Sequence, residues 1–160
     1  MMRDQSDRPA TEANIPFSTP LVIGWKERLD FVDWQLRRVK VKIDTGARTS
    51  VLDAIRYELY ENGQNGPFAR LYLALAHKQP LQIAVVEAPL LRKIVVRNSG
   101  GVCEERPLVE TVIRLGPIQK KIALTVTRRE GLCFRMLLGR NALANDFIVD
   151  VGKKYLLRRK

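Results

Sequence analysis

The tripeptide Asp44-Thr45-Gly46 is the stretch of this chain whose residue types and spacing best suit acid–base chemistry. It follows residues 39–43, where apolar and basic residues alternate, and this period of two predicts a half-buried strand. The strand would deliver a carboxylate to a tight turn, with Gly46 letting the backbone fold closely around it. A carboxylate at a rigid strand end is well placed for catalysis. Because Asp, Thr and Gly are also common turn residues, a plain strand-end turn is the alternative.

Composition bounds the rest of the chain. Its 160 residues suggest one domain, or one domain plus a tail, and 46% hydrophobic residues can supply a core. The formal net charge is +11, because 28 Lys and Arg residues face 17 Asp and Glu residues. Such a charge attracts anionic partners without choosing among them. A dedicated polyanion site and a solvated basic face, including the dense cluster in residues 153–160, are equally compatible with it.

Several classes of chemistry find no support in the sequence. Cys103, Cys133 and His77 form neither a disulfide framework nor a plausible zinc site. Neither a P-loop nor a GxGxxG motif is present, so we expect no nucleotide, cofactor or metal. The sequence shows no apolar run of membrane-spanning length and no secretory signal, which predicts a cytoplasmic protein that does not enter a membrane.

The pattern of elements predicts an all-β fold. Residues 1–20 are polar, contain three prolines and show no period, so we expect a disordered leader. Residues 21–160 would form one domain. Many short apolar stretches, with turn residues every eight to twelve positions, indicate a β-sandwich or barrel.

A few local features refine this prediction. Residues 141–145 suit one short helix, with Asn141 as its cap. Residues 26–36 are a second helical candidate. Pro89 separates two apolar stretches and predicts a bend or a sheet edge. Residues 155–157 would form a final strand.

A second motif lies near the end of the chain, where Leu137-Leu138-Gly139-Arg140-Asn141 follows another apolar run. In this order the two motifs resemble a retropepsin-type aspartic protease protomer, in which a strand carries Asp-Thr-Gly and a later apolar-apolar-Gly strand packs beneath it. The resemblance implies a single-domain retropepsin-like closed barrel with one short helix near the C-terminus. It also implies a flap over the substrate, and residues 97–105 occupy the matching place.

A narrower resemblance rests on three strings, residues 42–50, 96–101 and 134–140. They are similar to a bacterial family of small retropepsin-like proteins, often labelled "ATP-dependent zinc protease", and the similarity runs from residue 23 to residue 157. That family is commonly associated with ATP-grasp ligases that add glutamate to protein tails, which implies a functional link to such a ligase. The sequence does not support this label, because it contains neither a nucleotide-binding loop nor a plausible set of zinc ligands.

The resemblance implies an aspartic peptidase, a hydrolase that works as a homodimer. Peptide hydrolysis of this type needs two carboxylates that share one proton. One chain offers one Asp-Thr-Gly, so Asp44 of each subunit would meet its copy on a two-fold axis. Thr45 would hydrogen-bond across the axis and Gly46 would offer backbone groups to the substrate.

The expected substrate is an acidic, glutamate-rich peptide or protein tail. Retroviral proteases carry an Asp two residues after the motif Gly, and it pairs with the Arg of the Gly-Arg segment. Arg48 stands at that position, so Arg140 must find another partner or face solvent. Two arginines near a cleft would attract carboxylates, unless Arg48 simply points away as a surface charge. The expected substrate-binding residues are Ala47, Arg48, Asn98, Ser99, Gly100, Gly101 and Arg140.

Alternatives remain at this stage. The residues from Asn98 to Gly101 suit a flap tip, and a plain hairpin turn would need the same residues. The domain could be a retropepsin-fold module that binds peptides without cutting them. A nucleic-acid or ribosome binder ranks last, because the sequence supplies charge without a recognisable reading motif or stacking platform.

Overall fold

The computed structural model describes residues 19–74, 82–98, 100–128 and 133–157. Within these ranges the chain forms eleven strands, one short α-helix and a single 3-10 turn, and the predicted all-β class is confirmed. The elements are β1 (Leu21–Gly24), β2 (Lys26–Phe31), β3 (Leu36–Ile43), β4 (Ser50–Asp53), β5 (Arg56–Glu61), the 3-10 turn Gly63–Asn65, β6 (Pro67–Ala74), β7 (Ile83–Arg97), β8 (Cys103–Leu115), β9 (Ile118–Thr127), β10 (Met136–Leu138), α1 (Arg140–Leu143) and β11 (Phe147–Asp150).

Some expectations fall outside the described residues. They are most of the leader (residues 1–18), the flap residue Ser99, and the end of the basic C-terminal cluster (residues 158–160). The helix α1 has four residues, and no helix in the described ranges has the length and apolar character needed to cross a membrane.

The core of the fold is a ring of six strands. Neighbouring strands follow the order β2, β3, β10, β4, β9 and β8, and β8 pairs again with β2, which closes the ring. The closing contact joins Phe31 to Ile113. Buried aliphatic side chains from these strands, such as Val41, Leu52 and Leu124, form one cluster. Because the ring closes, each of the six strands has a paired strand on both sides over at least part of its length.

The helix expected in residues 26–36 is wrong, because β2 and β3 occupy most of that range. Glu27, Leu29 and Phe31 are buried while the residues between them are partly exposed, which is the alternation of a strand. The buried position of a glutamate hid this period in the sequence, where a carboxylate normally marks the solvent face.

Strand β7 runs unbroken through Pro89, where the sequence predicts a bend or a sheet edge. Pro89 pairs with Phe68 of β6, and a bulge follows between Leu90 and Arg92, where β7 exchanges β6 for β8 as its partner. A proline, which lacks an N–H, is tolerated in a sheet at such an irregular position. Strands β5, β6 and β7 therefore form an antiparallel extension that is continuous with the ring.

The last correction concerns residues 155–157, which form a turn and not a strand. Their backbone is held by a buried carboxylate: Leu156 N donates to Glu27 Oε1 at 2.8 Å and Leu157 N donates to Oε2 at 3.4 Å. Gly24 N also donates to Glu27 Oε1, at 2.8 Å. Glu27 thus replaces a strand partner and joins the first described strands to the C-terminal segment.

Replacing Glu27 by alanine should lower the free energy of unfolding by about 2–3 kcal/mol, because three backbone N–H groups lose their acceptor in a buried place. Urea denaturation followed by circular dichroism measures this loss. The matched control is Glu61→Ala, since Glu61 is exposed at the end of β5. Equal stability losses in the two variants would contradict the assignment.

A ladder of charges crosses the outer face of β5, β6 and β7. Arg70 is the register partner of both Glu58 and Glu87. Its Nη2 lies 3.0 Å from Glu87 Oε1 and its Nη1 lies 3.7 Å from Glu58 Oε2. The hydrogen bond from Arg70, followed by one from Tyr60, lowers the pKa of Glu87 below its usual range.

Replacing Arg70 by methionine should raise the pKa of Glu87, because its main hydrogen-bond donor is lost. A depressed carboxyl pKa contributes stability above the unfolded-state pKa, and that contribution disappears as the pH falls through the folded-state value. Side-chain carboxyl NMR titration measures the shift. Lys93→Met, which removes the partner of Glu105, serves as the control. An unchanged Glu87 titration in Arg70→Met would contradict this account.

Candidate active site

The turn that follows β3 holds the Asp44 carboxylate by one oxygen. Gly46 N and Ala47 N donate to Asp44 Oδ1 at 3.1 and 3.2 Å. Asp44 is partly buried, and its Oδ2 has no hydrogen-bond partner among the described residues. A Cβ on residue 46 would lie 3.3 Å from Oδ1, so glycine gives the carboxylate room in this turn. One oxygen is therefore fixed and the other is available for chemistry.

The backbone under this turn is fixed by β10. This strand lies between β3, to which it is parallel, and β4, to which it is antiparallel. Asp44 N donates to the carbonyl of Leu138 at 2.9 Å, so the end of β10 fixes the position of the Asp44 backbone. Gly139 then passes close to the chain after the turn, where a Cβ would meet the carbonyl carbon of Thr49 at 2.7 Å. The apolar-apolar-Gly segment thus packs against the Asp44 strand.

Ser50 and Asn141 connect the two motifs through side chains. Asn141 Oδ1 accepts from Ser50 N at 3.1 Å and from Ser50 Oγ at 2.9 Å. Ser50 Oγ in turn accepts from Gly139 N at 3.0 Å, and Asn141 Nδ2 donates to Ala123 O at 2.7 Å. The expectation that Asn141 caps the helix is wrong: it lies inside α1, and Gly139 occupies the cap position.

Arg140 finds a partner in the main chain of the turn. Its Nη1 donates to Thr45 O at 3.0 Å, and its N donates to Ala47 O at 2.9 Å. Asn141 N donates to Arg48 O at 3.0 Å. The side chains of Arg48 and Arg140 both belong to exposed residues. The carbonyl of Thr45 is therefore the partner of Arg140, in the role that an aspartate has in retroviral proteases.

The predicted flap is a long hairpin of β7 and β8. Asn98 N donates to Val102 O, and Val102 N donates to Asn98 Oδ1, both at 3.0 Å. Gly101 has a φ of 81°, which favours glycine, and Gly100 is exposed. Val95 in β7 and Val102, which precedes β8, expose 68% and 64% of their surface. These two valines give the hairpin an exposed apolar surface near its tip.

The structure places the predicted site residues that it describes in two regions. Asp44, Thr45, Gly46, Ala47 and Arg48 share the loop after β3, and Arg140 of α1 donates to it, whereas Asn98, Gly100 and Gly101 lie at the hairpin tip. Their roles in catalysis and binding stay predictions. In the described ranges no three His, Cys, Asp or Glu side chains are grouped to hold a metal ion.

Sequence reasoning missed Ser50 and gave Asn141 the wrong role. Ser50 ends the string 42–50 and Asn141 ends the second motif, residues 137–141, but no periodic or spacing signal links two residues that lie 91 positions apart. The fold brings them into direct contact, where Asn141 Oδ1 accepts from Ser50 N and Ser50 Oγ.

A closed ring of strands, an Asp-Thr-Gly turn at the end of β3 and a later strand inserted between β3 and β4 define a retropepsin-like fold. Residues 22–160 match the family described as "Retropepsin-like aspartic endopeptidase RimB". The chain belongs to this RimB-like family, and the resemblance noted in its sequence is confirmed.

Individual relatives carry the name of a ligase and not of a peptidase. The chain is 29% identical over 139 residues to a probable alpha-L-glutamate ligase of Shewanella pealeana, covering 87% of this chain and 30% of that protein. It is 31% identical over 133 residues to a probable alpha-L-glutamate ligase of Parasynechococcus marenigrum, covering 81% and 28%. The chain thus spans less than a third of the length of these relatives.

Among known structures, a Legionella pneumophila protein of unknown function superposes with a TM-score of 0.72 at 23% identity. The match covers 88% of this chain and 100% of the Legionella chain. At this level of identity the similarity supports the fold.

Replacing Asn141 by alanine should lower the free energy of unfolding by about 1–2 kcal/mol, because Ser50 and the carbonyl of Ala123 lose their partner. The matched control is Asn62→Ala, since the exposed Asn62 side chain makes no capping hydrogen bond. Urea denaturation of both variants gives the difference. If Asn141→Ala is as stable as Asn62→Ala, the connection between the two motifs is energetically unimportant.

Proposed function

We propose that the protein is an aspartic endopeptidase that acts as a homodimer, with one Asp44 from each subunit. The observation that carries the proposal is the Asp44 carboxylate, which is anchored through Oδ1 while Oδ2 has no partner among the described residues. Membership of a family described as aspartic endopeptidases supports it. Because the chain contains one Asp-Thr-Gly, the second carboxylate comes from a second chain on a two-fold axis.

Two carboxylates about 3 Å apart share one proton, because like charges that close together cannot both ionise. The ionised Asp44 takes a proton from a water molecule, which attacks the peptide carbonyl carbon. The protonated Asp44 of the other subunit gives its proton to the carbonyl oxygen. Collapse of the tetrahedral diol breaks the C–N bond: the Asp44 that took the water proton gives it to the leaving nitrogen, and the other, now ionised, Asp44 takes a proton from one hydroxyl, which restores the pair. The exposed Thr45 side chain can hydrogen-bond across the axis and fix both carboxylates.

The substrate that fits these surroundings is an acidic, glutamate-rich peptide or protein tail. Arg48 and Arg140 are exposed beside the turn, and guanidinium groups bind carboxylates through charge-assisted hydrogen bonds. The net charge of +11 favours approach of such a chain. Two relatives that contain a similar segment carry the name probable alpha-L-glutamate ligase, which supports a functional link to a glutamate ligase of the ATP-grasp type.

The proposal is tested by Asp44→Asn with a labelled glutamate-rich peptide, with products followed by mass spectrometry. We expect cleavage to fall by at least about a hundredfold, the scale of a lost general acid–base group. The matched control is Asp150→Asn, because Asp150 Oδ1 accepts from Gly152 N at 3.0 Å in a similar turn. Cleavage that survives in Asp44→Asn, or falls equally in both variants, would contradict the assignment.

One observation favours a second function, a binding module that no longer cuts. Arg48 replaces an aspartate that contacts substrate in retroviral proteases, and its exposed guanidinium lies two residues after Gly46. Binding of the same peptide by the native protein, with no product formed between pH 4 and pH 8, would establish this second function. Any cleavage that depends on Asp44 excludes it.

A further inference from the structure

A bulge places two consecutive arginines at the start of β3, on the far end of that strand from Asp44. In the pairing of β2 with β3, Leu29 opposes Val39 and Phe31 opposes Leu36, so Arg37 and Arg38 together oppose one residue, Asp30. Arg38 has a φ of 58°, a left-handed conformation that is costly for a residue with a side chain. Its N–H donates to Asp30 Oδ1 at 2.9 Å, which holds the bulge.

The bulge places both arginines beside the same two cavities. In a regular strand, consecutive side chains point to opposite faces. Arg37 and Arg38 instead both line a cavity of about 600 Å³, and both also line a neighbouring cavity of about 560 Å³. Arg28 lines both cavities as well, and Lys40 lines the first. We name the surface formed by Arg28, residues 36–40 and the cavity beside them the distal groove.

The carboxylates of Asp30 and Asp53, which also line the two cavities, pair with Arg114 and Arg135. Among the described residues, Arg28, Arg37, Arg38 and Lys40 form no ion pair with a carboxylate. Arg28 instead lies over the ring of Tyr155, 5.2 Å from its centroid. Guanidinium groups that are held in place without a carboxylate favour an anionic ligand with planar, bidentate acceptors.

The groove also has an unpaired strand edge and an apolar floor. β10 pairs with β3 only at Val41, Lys42 and Ile43. Within the described ranges, residues 36–40 therefore have a strand neighbour, β2, on one side only. Apolar side chains of Leu52, Leu73 and Ala74 line the cavity beside this edge. An extended peptide binds such an edge through its backbone and fills the adjoining pockets with alternate side chains.

We propose that the distal groove binds an extended, carboxylate-rich peptide segment as an added strand along β3. The site is separate from the catalytic turn: Arg38 precedes Asp44 by six residues, or about 20 Å of strand at about 3.3 Å per residue. A peptide fits better than a nucleic acid, because the unpaired edge offers backbone hydrogen bonds, while Tyr155 is the one aromatic residue that lines the two cavities in the described ranges.

The test uses ¹⁵N-labelled Asp44→Asn protein, which keeps the peptide intact, and a hexaglutamate peptide. Addition of the peptide should shift the amide signals of residues 36–40 and slow their hydrogen exchange. Arg37→Glu combined with Lys40→Glu should weaken that binding by at least about tenfold, because charge-assisted hydrogen bonds are replaced by repulsion. The control, Lys93→Glu with Lys121→Glu, makes the same change in net charge on exposed strand positions outside the groove.

Each outcome decides one point. Shifts confined to residues 44–48 and 140, equal weakening in the control pair, or displacement of the peptide by a hexanucleotide at equal concentration would overturn the inference. Shifts at residues 36–40 in a protein whose native form cleaves nothing would uphold this site and refute the proposed peptidase. Asp44-dependent cleavage without shifts at residues 36–40 would uphold the proposed peptidase and refute this site.

Discussion

The position of the Asp44 carboxylate depends on one set of contacts, the hydrogen bonds that hold β10 between β3 and β4. Ser50 Oγ accepts from Gly139 N, and Asn141 Oδ1 accepts from both donors of Ser50. These bonds fix the end of β10, whose Leu138 carbonyl receives Asp44 N. Glycine at position 139 is required by the same contact, because a Cβ would meet Thr49 at 2.7 Å. The catalytic candidate is therefore placed by residues from the other end of the chain.

Under the proposed function, one chain supplies half of the peptidase site. One chain presents one anchored carboxylate, an exposed threonine beside it and an exposed hairpin tip. A two-fold axis would supply the second copy of each. The two proposals place binding of acidic chains at two separate sites, at Arg48 and Arg140 near the turn and at the bulge of Arg37 and Arg38. The second place arises from backbone geometry, since a regular strand would separate these two side chains.

Sequence predicted the parts of the fold that local patterns determine. The alternation in residues 39–43 identified β3, and Gly46 identified the tight turn around the carboxylate. Failures occurred where a distant partner decides the outcome. Glu27 is buried because it binds N–H groups of residues 156 and 157, and nothing near it in sequence reports that. The bulge at Arg38 depends on Asp30, eight residues away, and left no local signal.

The central claim is that two chains share one active site, and mixing experiments test it most directly. Native and Asp44→Asn chains are refolded together in equal amounts, and random pairing is checked by mass spectrometry. If both carboxylates are needed, only the native–native dimers, about a quarter of all dimers, cleave the substrate. Total activity should then be about a quarter of that of an equal total amount of purely native protein. Total activity of about a half, in proportion to the native chains, would show that each Asp44 works alone and would contradict the account.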